Sequence, residues 1–571
     1  MPETKTCTQC KKPFFIEPED FDFYKKIDVL APKLCPLCRA RHRLSFRNER
    51  SFYRRACDKC KKVVISMYSP EKPYTVWCHD CWFSDDWNPL DYGRAYTPSR
   101  PFMEQFKAVW DSVPKVALVY IRSTNSEYTN ISADSKNCYM IVESSNNENC
   151  THCYWIQQCR DLVDVSFSHQ TELSYESDDC YGCYGISWSR GCHDCRESAF
   201  LFDCRGVSNC VGCVNLRNSK YCIFNKPYSK EEYEKELQNF RLDTNSGVEA
   251  FREKFEKFLK TQPRKYAEIV QAPNSSGNYI KNAKNCKSCF HCYEAEDCKY
   301  NVHVWRNAKD CMDCDTTGRN AEMMYNTVNA GMDVSNQICC RMCWTCSFTE
   351  YCYYCFNANN CFGSVGVRKK DYCILNHEYS KEEYQTLREK IVASMKDAGN
   401  YGEFFPASVS TFGYNESAAM EQFPLSKEEA LELGFKWEDF ERGTFGKETI
   451  SWAEIPDAIG DADQSLVEKI FACIDCKKNY RIIPDEFAFY KKLSVPLPRL
   501  CPDCRHARRF QARGPNYLHE GQCACRGTIG SGGYQNSVSH AHGDSPCGNA
   551  FETSLPGENL YCESCHNAEV A

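Results

Sequence analysis

The stretch Asp178-Asp179-Cys180-Tyr181-Gly182-Cys183-Tyr184-Gly185-Ile186-Ser187-Trp188-Ser189-Arg190-Gly191-Cys192-His193-Asp194-Cys195 decides the fold. Its cysteines fall on positions divisible by three. So do the others between Cys138 and Cys222, at 138, 150, 153, 159, 204, 210, 213 and 222. A register held over that length is a repeat. Many of these cysteines follow Asn or Asp, as in Asn137-Cys138, Asn149-Cys150 and Asn209-Cys210. A second copy spans Cys286 to Cys373, where 286, 289, 292, 298, 340, 343, 346, 352, 355, 361 and 373 share one residue class and 311, 314 and 339 are out of phase. Both copies close alike, with Tyr221-Cys222-Ile223-Phe224-Asn225 and Tyr372-Cys373-Ile374-Leu375-Asn376 each leading into Tyr-Ser-Lys-Glu-Glu-Tyr, so the chain is internally duplicated.

A spacing of three fits neither a helix, at about 3.6 residues per turn, nor a single strand, at about 2. It fits a β-solenoid, in which short strands joined by tight turns return one position to the interior on every side, each coil a multiple of about six residues. Asn and Asp suit the turns because they tolerate left-handed backbone. Cysteine is small and apolar enough to stack inward. Tyr139, Tyr154, Tyr181, Tyr184, Tyr293 and Tyr353, each directly after a cysteine, then face outward. A string of small metal knuckles is the competing arrangement.

Outside the repeats the cysteines change character. Cys7-x-x-Cys10 and Cys35-x-x-Cys38 make a four-thiolate zinc pattern, since two knuckles complete a tetrahedron. Phe14, Phe15 and Ile16 alternate between them like a hairpin strand, and the sequence turns helical after Cys38, which is the order of a treble clef. Cys57, Cys60, Cys78 and Cys81 form a second set, with Trp82, Phe83 and Trp87 beside it as its core rather than as a base-stacking surface, and His79 not a ligand. The carboxy-terminal candidates are Cys523, Cys525, Cys547, Cys562 and Cys565; Cys525, Cys547, Cys562 and Cys565 are preferred, with Cys523 able to replace one. His540-Ala541-His542 reads as a solvated loop in preference to a catalytic metal site.

The first segment resembles a family of small bacterial zinc-ribbon (treble-clef) domains through Phe23-Tyr24-Lys25-Lys26 and Pro32-Lys33-Leu34-Cys35-Pro36-Leu37-Cys38-Arg39. The pattern recurs in Phe489-Tyr490-Lys491-Lys492 and Pro498-Arg499-Leu500-Cys501-Pro502-Asp503-Cys504-Arg505, preceded by Cys473-x-x-Cys476. The resemblance implies zinc ligation by Cys7, Cys10, Cys35, Cys38 and by Cys473, Cys476, Cys501, Cys504. As a whole the chain looks like cysteine-rich multi-ribbon proteins of candidate-phylum bacteria and giant viruses, a likeness that implies no substrate.

The expected fold class is therefore multidomain and mainly β: two tandem cysteine-rich β-solenoid blocks with helical caps, flanked by treble-clef ribbons. The expected divisions are ribbons at 1–48 and 49–95, a linker or cap at 96–124, blocks at 125–225 and 276–378, a helical cap at 226–275, a helix and irregular linker at 379–470, a ribbon at 471–515 and a zinc module at 516–571. The stripe Phe251, Phe255, Phe258 is expected to cover a solenoid end, and Asp457–Asp463 to be a flexible linker.

With 571 residues, 43 cysteines and a net charge of −7, the chain is not a globally basic nucleic-acid binder. It lacks an apolar leader and any long apolar run, so a cytoplasmic, reduced protein with no membrane contact is expected, its thiols metal ligands or free buried groups rather than disulfides. The function expected is a non-enzymatic zinc scaffold holding about four Zn²⁺, with no small-molecule cofactor. Its partner would be a protein or a nucleic acid met through Arg39, Arg41, Arg43, Arg505, Arg508 and Arg509. The alternative is a metal-handling or thiol-redox protein that uses the central arrays.

Overall fold

The structure, a computed structural model, describes residues 2–440, 443–530, 533–557 and 559–570. It is mainly β, with several sheets and with helices packed outside them. No helix among the described residues is long and apolar enough to cross a membrane.

Two parallel ladders dominate. In the first, Glu148, Arg160, Glu172, Tyr184, Arg196, Ser208 and Lys220 lie side by side, each twelve positions after the last. Other bridges keep the same step: Lys136 with Glu148, Tyr139 with Thr151, Val142 with Tyr154 and Ser145 with Gln157. These bridges start three residues apart, so each twelve-residue turn has four short sides. Between sides sits a left-handed residue; Asn137, Met140, Glu143, Asn146 and Asn149 have φ of 50–56°. That conformation is steep for most side chains and cheap for Asn, Asp and Gly, which explains Asp161, Asp179, Gly182, Gly191 and Asn209 at corners. The residue after each corner points inward: Cys138, Ile141, Ser144, Asn147 and Cys150 are 0–4 % exposed. Corner, core, bridge is the meaning of the period of three.

The narrow interior accounts for cysteine. Cys150 Sγ lies 3.3 Å from the Glu148 carbonyl and 3.8 Å from that of Cys159 in the next turn, and Cys153 Sγ lies 3.3 Å from Thr151 O and 3.8 Å from Leu162 O. A thiol thus fills little volume and donates weakly to two turns at once.

The second ladder repeats the plan and explains the phase breaks. Its register steps by twelve from Gly277 to Cys289, by thirteen at Ala295–Ala308, Lys309–Glu322 and Ala321–Val334, and again by twelve from Ser335 to Ser347. Three single-residue insertions restore the original class. Cys311 and Cys314 therefore remain in the core. Cys339 instead occupies a corner, with φ 54°, its thiol against the carbonyl of Gly402 at 3.4 Å. Each ladder ends in a two-residue hairpin with both turn residues left-handed, Phe224-Asn225 and Leu375-Asn376, which pairs the last strand antiparallel.

Docking is crossed. The helix Pro36–Leu44 after the first cysteine group lies on the second ladder, and the equivalent helix Pro502–Arg513 lies on the first. Arg39 and Arg43, 3 % and 1 % exposed at the side chain, share Asp313 at 2.8 and 3.1 Å; Arg505 and Arg509 share Asp164 at 2.7 and 3.4 Å. The third arginine of each four-residue series reaches both ladders. Arg47 pairs with Asp315 and Glu143, and Arg513 pairs with Asp178 and Asp179 and meets His291. Rings match as well: Tyr24 on Tyr325, Tyr490 on Tyr175. Between the ladders Phe167 stacks on His291 and Trp155 on Tyr293; of the outward tyrosines Tyr154 and Tyr353 are buried, and Tyr139, Tyr181, Tyr184 and Tyr293 keep part of their surface exposed.

Helix packing corrects two expectations. Helix Asn245–Thr261 lays Phe251 and Phe255 against Phe200 and Phe224 on the flank of the first ladder, not over its end, because the closing hairpin already pairs that edge. Helix Phe102–Ser112 does the same to the second ladder, with Phe102 on Phe362. Left-handed glycines form the notches: a Cβ at Gly212 would meet Phe224 and Phe251 at 2.9 and 3.0 Å, and one at Gly363 would meet Phe102 at 2.5 Å. The Asp457–Asp463 segment is packed rather than flexible, since Ile459 and Ala462 are buried and Asp457 accepts from the Ser246 N–H.

Asp313→Asn leaves two buried guanidinium groups undercompensated and is expected to cost about 3–5 kcal/mol in denaturant unfolding. Asp310→Asn, at the exposed Lys26 pair, should cost under about 1 kcal/mol. A second expectation concerns acid. Burial holds His152 and His506 down to about 4. Free histidine titrates near 6.5, so the unfolded chain takes up these protons first. Stability is lost as pH falls from about 6.5 through about 4. The melting temperature should drop between pH 7.5 and 5, and less steeply in His506→Gln.

Candidate metal centres

Among the described residues, four groups of four cysteines lie outside the ladders. Cys7, Cys10, Cys35 and Cys38 converge, as do Cys57, Cys60, Cys78 and Cys81, and Cys473, Cys476, Cys501 and Cys504, each with all four sulfurs within 4.8 Å of one another. The fourth is Cys523, Cys547, Cys562 and Cys565. Cys525 is the sequence's preference over Cys523; the structure puts Cys525 in a fifth group with His540, His542 and Cys565.

The four thiol groups share one architecture. A short antiparallel hairpin delivers the first pair: Glu3–Thr6 with Pro13–Ile16, Tyr53–Ala56 with Val63–Ser66, Phe471–Ala472 with Asn479–Tyr480, and His519–Gln522 with Ala550–Thr553. In three knuckles a left-handed lysine (Lys11, Lys61, Lys477) turns its N–H back to the first cysteine's carbonyl. The third cysteine then precedes a helix: Pro36–Leu44, His79–Phe83, Pro502–Arg513 and Glu563–Val570. In each group the N–H of the third cysteine donates to the sulfur of the first, from Cys35 to Cys7, Cys78 to Cys57, Cys501 to Cys473 and Cys562 to Cys523, at 3.2–3.3 Å. Cys523 therefore stands where Cys57 stands, and this backbone donor is what selects it over Cys525.

The spacing suits a tetrahedral ion. A metal–sulfur bond of about 2.3 Å puts neighbouring sulfurs about 3.8 Å apart. The observed separations are 3.8 Å for Cys10–Cys35 and Cys60–Cys78, 3.6 Å for Cys476–Cys501 and 4.0 Å for Cys547–Cys562. Thiolate is favoured at one member of several groups. A hydrogen bond from Cys38 draws Cys35 down to about 5, and, against burial, Asn549 and Ser564 draw Cys562 down to about 6. Ladder thiols show the same mixture: burial pushes Cys159 up to about 12, while a hydrogen bond from Cys213 draws Cys210 down to about 7 and one from Cys289 draws Cys286 down to about 4. All 43 cysteines are unbridged.

The six arginines expected on a nucleic-acid face sit at the docking interfaces instead. Arg39, Arg43, Arg505 and Arg509 are buried on Asp313 and Asp164; Arg508 spans Glu176 at 2.8 and 2.9 Å; Arg41 lies over the Phe423 ring. The signal that the sequence carried was the spacing of four that joins Arg39 to Arg43 and Arg505 to Arg509, which marks a buried helix stripe. Trp82, Phe83 and Trp87 are packing groups, Trp82 being 1 % exposed with its indole N–H on Pro114 O. His79 stacks on Tyr120 and is in none of the groups.

Between the ladders a groove of about 300 Å³ is lined by Trp155, Trp305, Trp344, His169 and Arg306. Its carboxylate, Glu143, is held by Arg47, Tyr154 and Asn329. Comparison with protein-family models and with curated proteins gives no match to this chain.

A Cys38→Ser variant is expected to bind one metal ion fewer per chain and to expose Phe14 and Tyr24 to proteolysis, read by elemental analysis and limited chymotrypsin digestion.

Proposed function

We propose that the chain is a non-enzymatic, zinc-stabilised scaffold. The ladders are β-solenoids that form the rigid body, and the four-cysteine groups are structural zinc sites, those at Cys7 and Cys473 in treble-clef ribbons. The observation that carries this reading is the division of the thiols into two geometries. One set converges in fours at tetrahedral spacing. The other runs in files whose sulfurs face backbone carbonyls two residues back and nine residues on, in the next turn. The converging set grips ions and the filed set packs.

Structural zinc supplies about 10–16 kcal/mol of apparent folding energy to small modules, which suits terminal modules built on two-stranded hairpins. The scaffold displays surface to a partner. The arginine series belongs to internal clamping, so no nucleic-acid contact is assigned to it. Metal content tests the proposal. Cys195→Ser and Cys355→Ser, in the files, should leave the zinc count of the purified chain unchanged, while chelation should melt the terminal modules and spare the far-ultraviolet β signal of the ladders. A count many ions above the number of terminal groups, or one lowered by the file variants, would turn the reading to metal storage or thiol exchange.

A further inference from the structure

The carboxy-terminal module departs from its counterpart by an insertion. The strand Val76–Trp77 of the second module pairs in parallel with Lys115–Val116, ahead of the first ladder, and Leu560–Tyr561 pairs in parallel with Arg264–Lys265, ahead of the second. By these pairings Cys523, Cys547, Cys562 and Cys565 correspond to Cys57, Cys60, Cys78 and Cys81. Yet Cys57 and Cys60 are three positions apart, whereas Cys523 and Cys547 are twenty-four apart. The extra loop carries Cys525, His540 and His542, whose ligand atoms lie with Cys565 Sγ in a set within 4.8 Å of one another.

We propose that this module holds two metal ions bridged by the Cys565 thiolate. Cys523, Cys547 and Cys562 complete one tetrahedron, and Cys525, His540 and His542 complete the other. The inference rests on the metal-binding reading above and extends it.

The environment of each inserted ligand is built for the task. His542 Nδ1 donates to Ser545 O at 2.7 Å, leaving Nε2 to face Cys565 Sγ at 3.5 Å. That separation is the N···S edge, about 3.5 Å, of a tetrahedron with bonds of about 2.0–2.1 and 2.3 Å. His540 Nε2 donates to Glu569 at 2.9 Å, which frees Nδ1 for the ion; a carboxylate behind a ligating imidazole fixes its tautomer and raises its basicity. Cys525 is fully buried, and its sulfur accepts from Asn536 Nδ2 at 3.3 Å while Tyr561 Oη donates to Asn536 Oδ1 at 2.8 Å. Asn549 supports Cys562 in the same way on the other side, at 3.4 Å. Seven side chains cannot give eight bonds to two four-coordinate ions unless one is shared. Cys565, the member common to both groups, supplies the eighth. With bonds of about 2.3 Å to each ion, the shared sulfur keeps the pair within about 4.6 Å.

The test uses the full chain, reconstituted with zinc and desalted for elemental analysis, then with cadmium-113 for NMR. Five ions per chain are expected, with two cadmium resonances split by mutual coupling through the common sulfur. His542→Ala should remove one ion, one resonance and the splitting of the other. Four ions in the unaltered chain, or five with no metal–metal coupling, overturns the bridged pair and leaves the terminal zinc sites standing. A chain that binds no metal overturns both. The cadmium spectrum of the unaltered chain decides the matter even if His542→Ala fails to fold.

Discussion

A left-handed residue at every third position is the constraint on which the molecule depends. It lets a chain turn a corner after only three residues, and four such corners close a turn in twelve. The bore that results is too tight for large side chains in every layer, which is why Cys, Ser, Ala and Val recur inside. The corners must be Asn, Asp or Gly often enough to keep the conformational cost bearable. The same corners become the docking surface. Asp164, Asp179 and Asp313 are all corner residues with φ between 51° and 57°, aimed outward where the arginines of helices Pro36–Leu44 and Pro502–Arg513 arrive.

Those arginines show how small modules can be fastened to the flank of a repeat. A guanidinium lined up with a carboxylate is directional, and two guanidinium groups on one Asp fix the helix angle as well as its height. Buried pairs are poor sources of net stability but costly to mispair, so the clamps select one docking arrangement among the many that a twelve-residue periodicity would otherwise make equivalent.

Much of this could be read from the residues. The period of three, the duplication, the inward cysteines and the Cys7 and Cys57 groups follow from spacing, and the Cys473 group from its likeness to the first. The turn length did not, because spacing of three is compatible with any multiple of it, and only pairing between Glu148 and Arg160 distinguishes twelve. Cys311 and Cys314 looked out of phase because the insertion at the 305–307 corner is invisible until the register is known; those at 318–320 and 331–333 return only the later cysteines to the original class. The choice of Cys523 over Cys525 depended on the N–H of Cys562, 39 positions away in a chain where adjacent cysteines look alike. His540 and His542 sit in a Gly- and Ser-rich loop that resembles solvent-exposed sequence; Glu569 and Ser545, which orient them, are ordinary residues with no motif of their own.

The crossed docking has a consequence for how the polypeptide matures. Helix Pro36–Leu44 is made before the surface it docks on, and Arg39 and Arg43 meet Asp313 only after another 274 and 270 residues respectively have been translated. The first ladder waits still longer for Arg505 and Arg513. Each half is thus finished by the other. Completion must wait until Arg513 has been made, which places this fold among slow, non-local assemblies and makes the interval before docking the period when its thiols are most exposed.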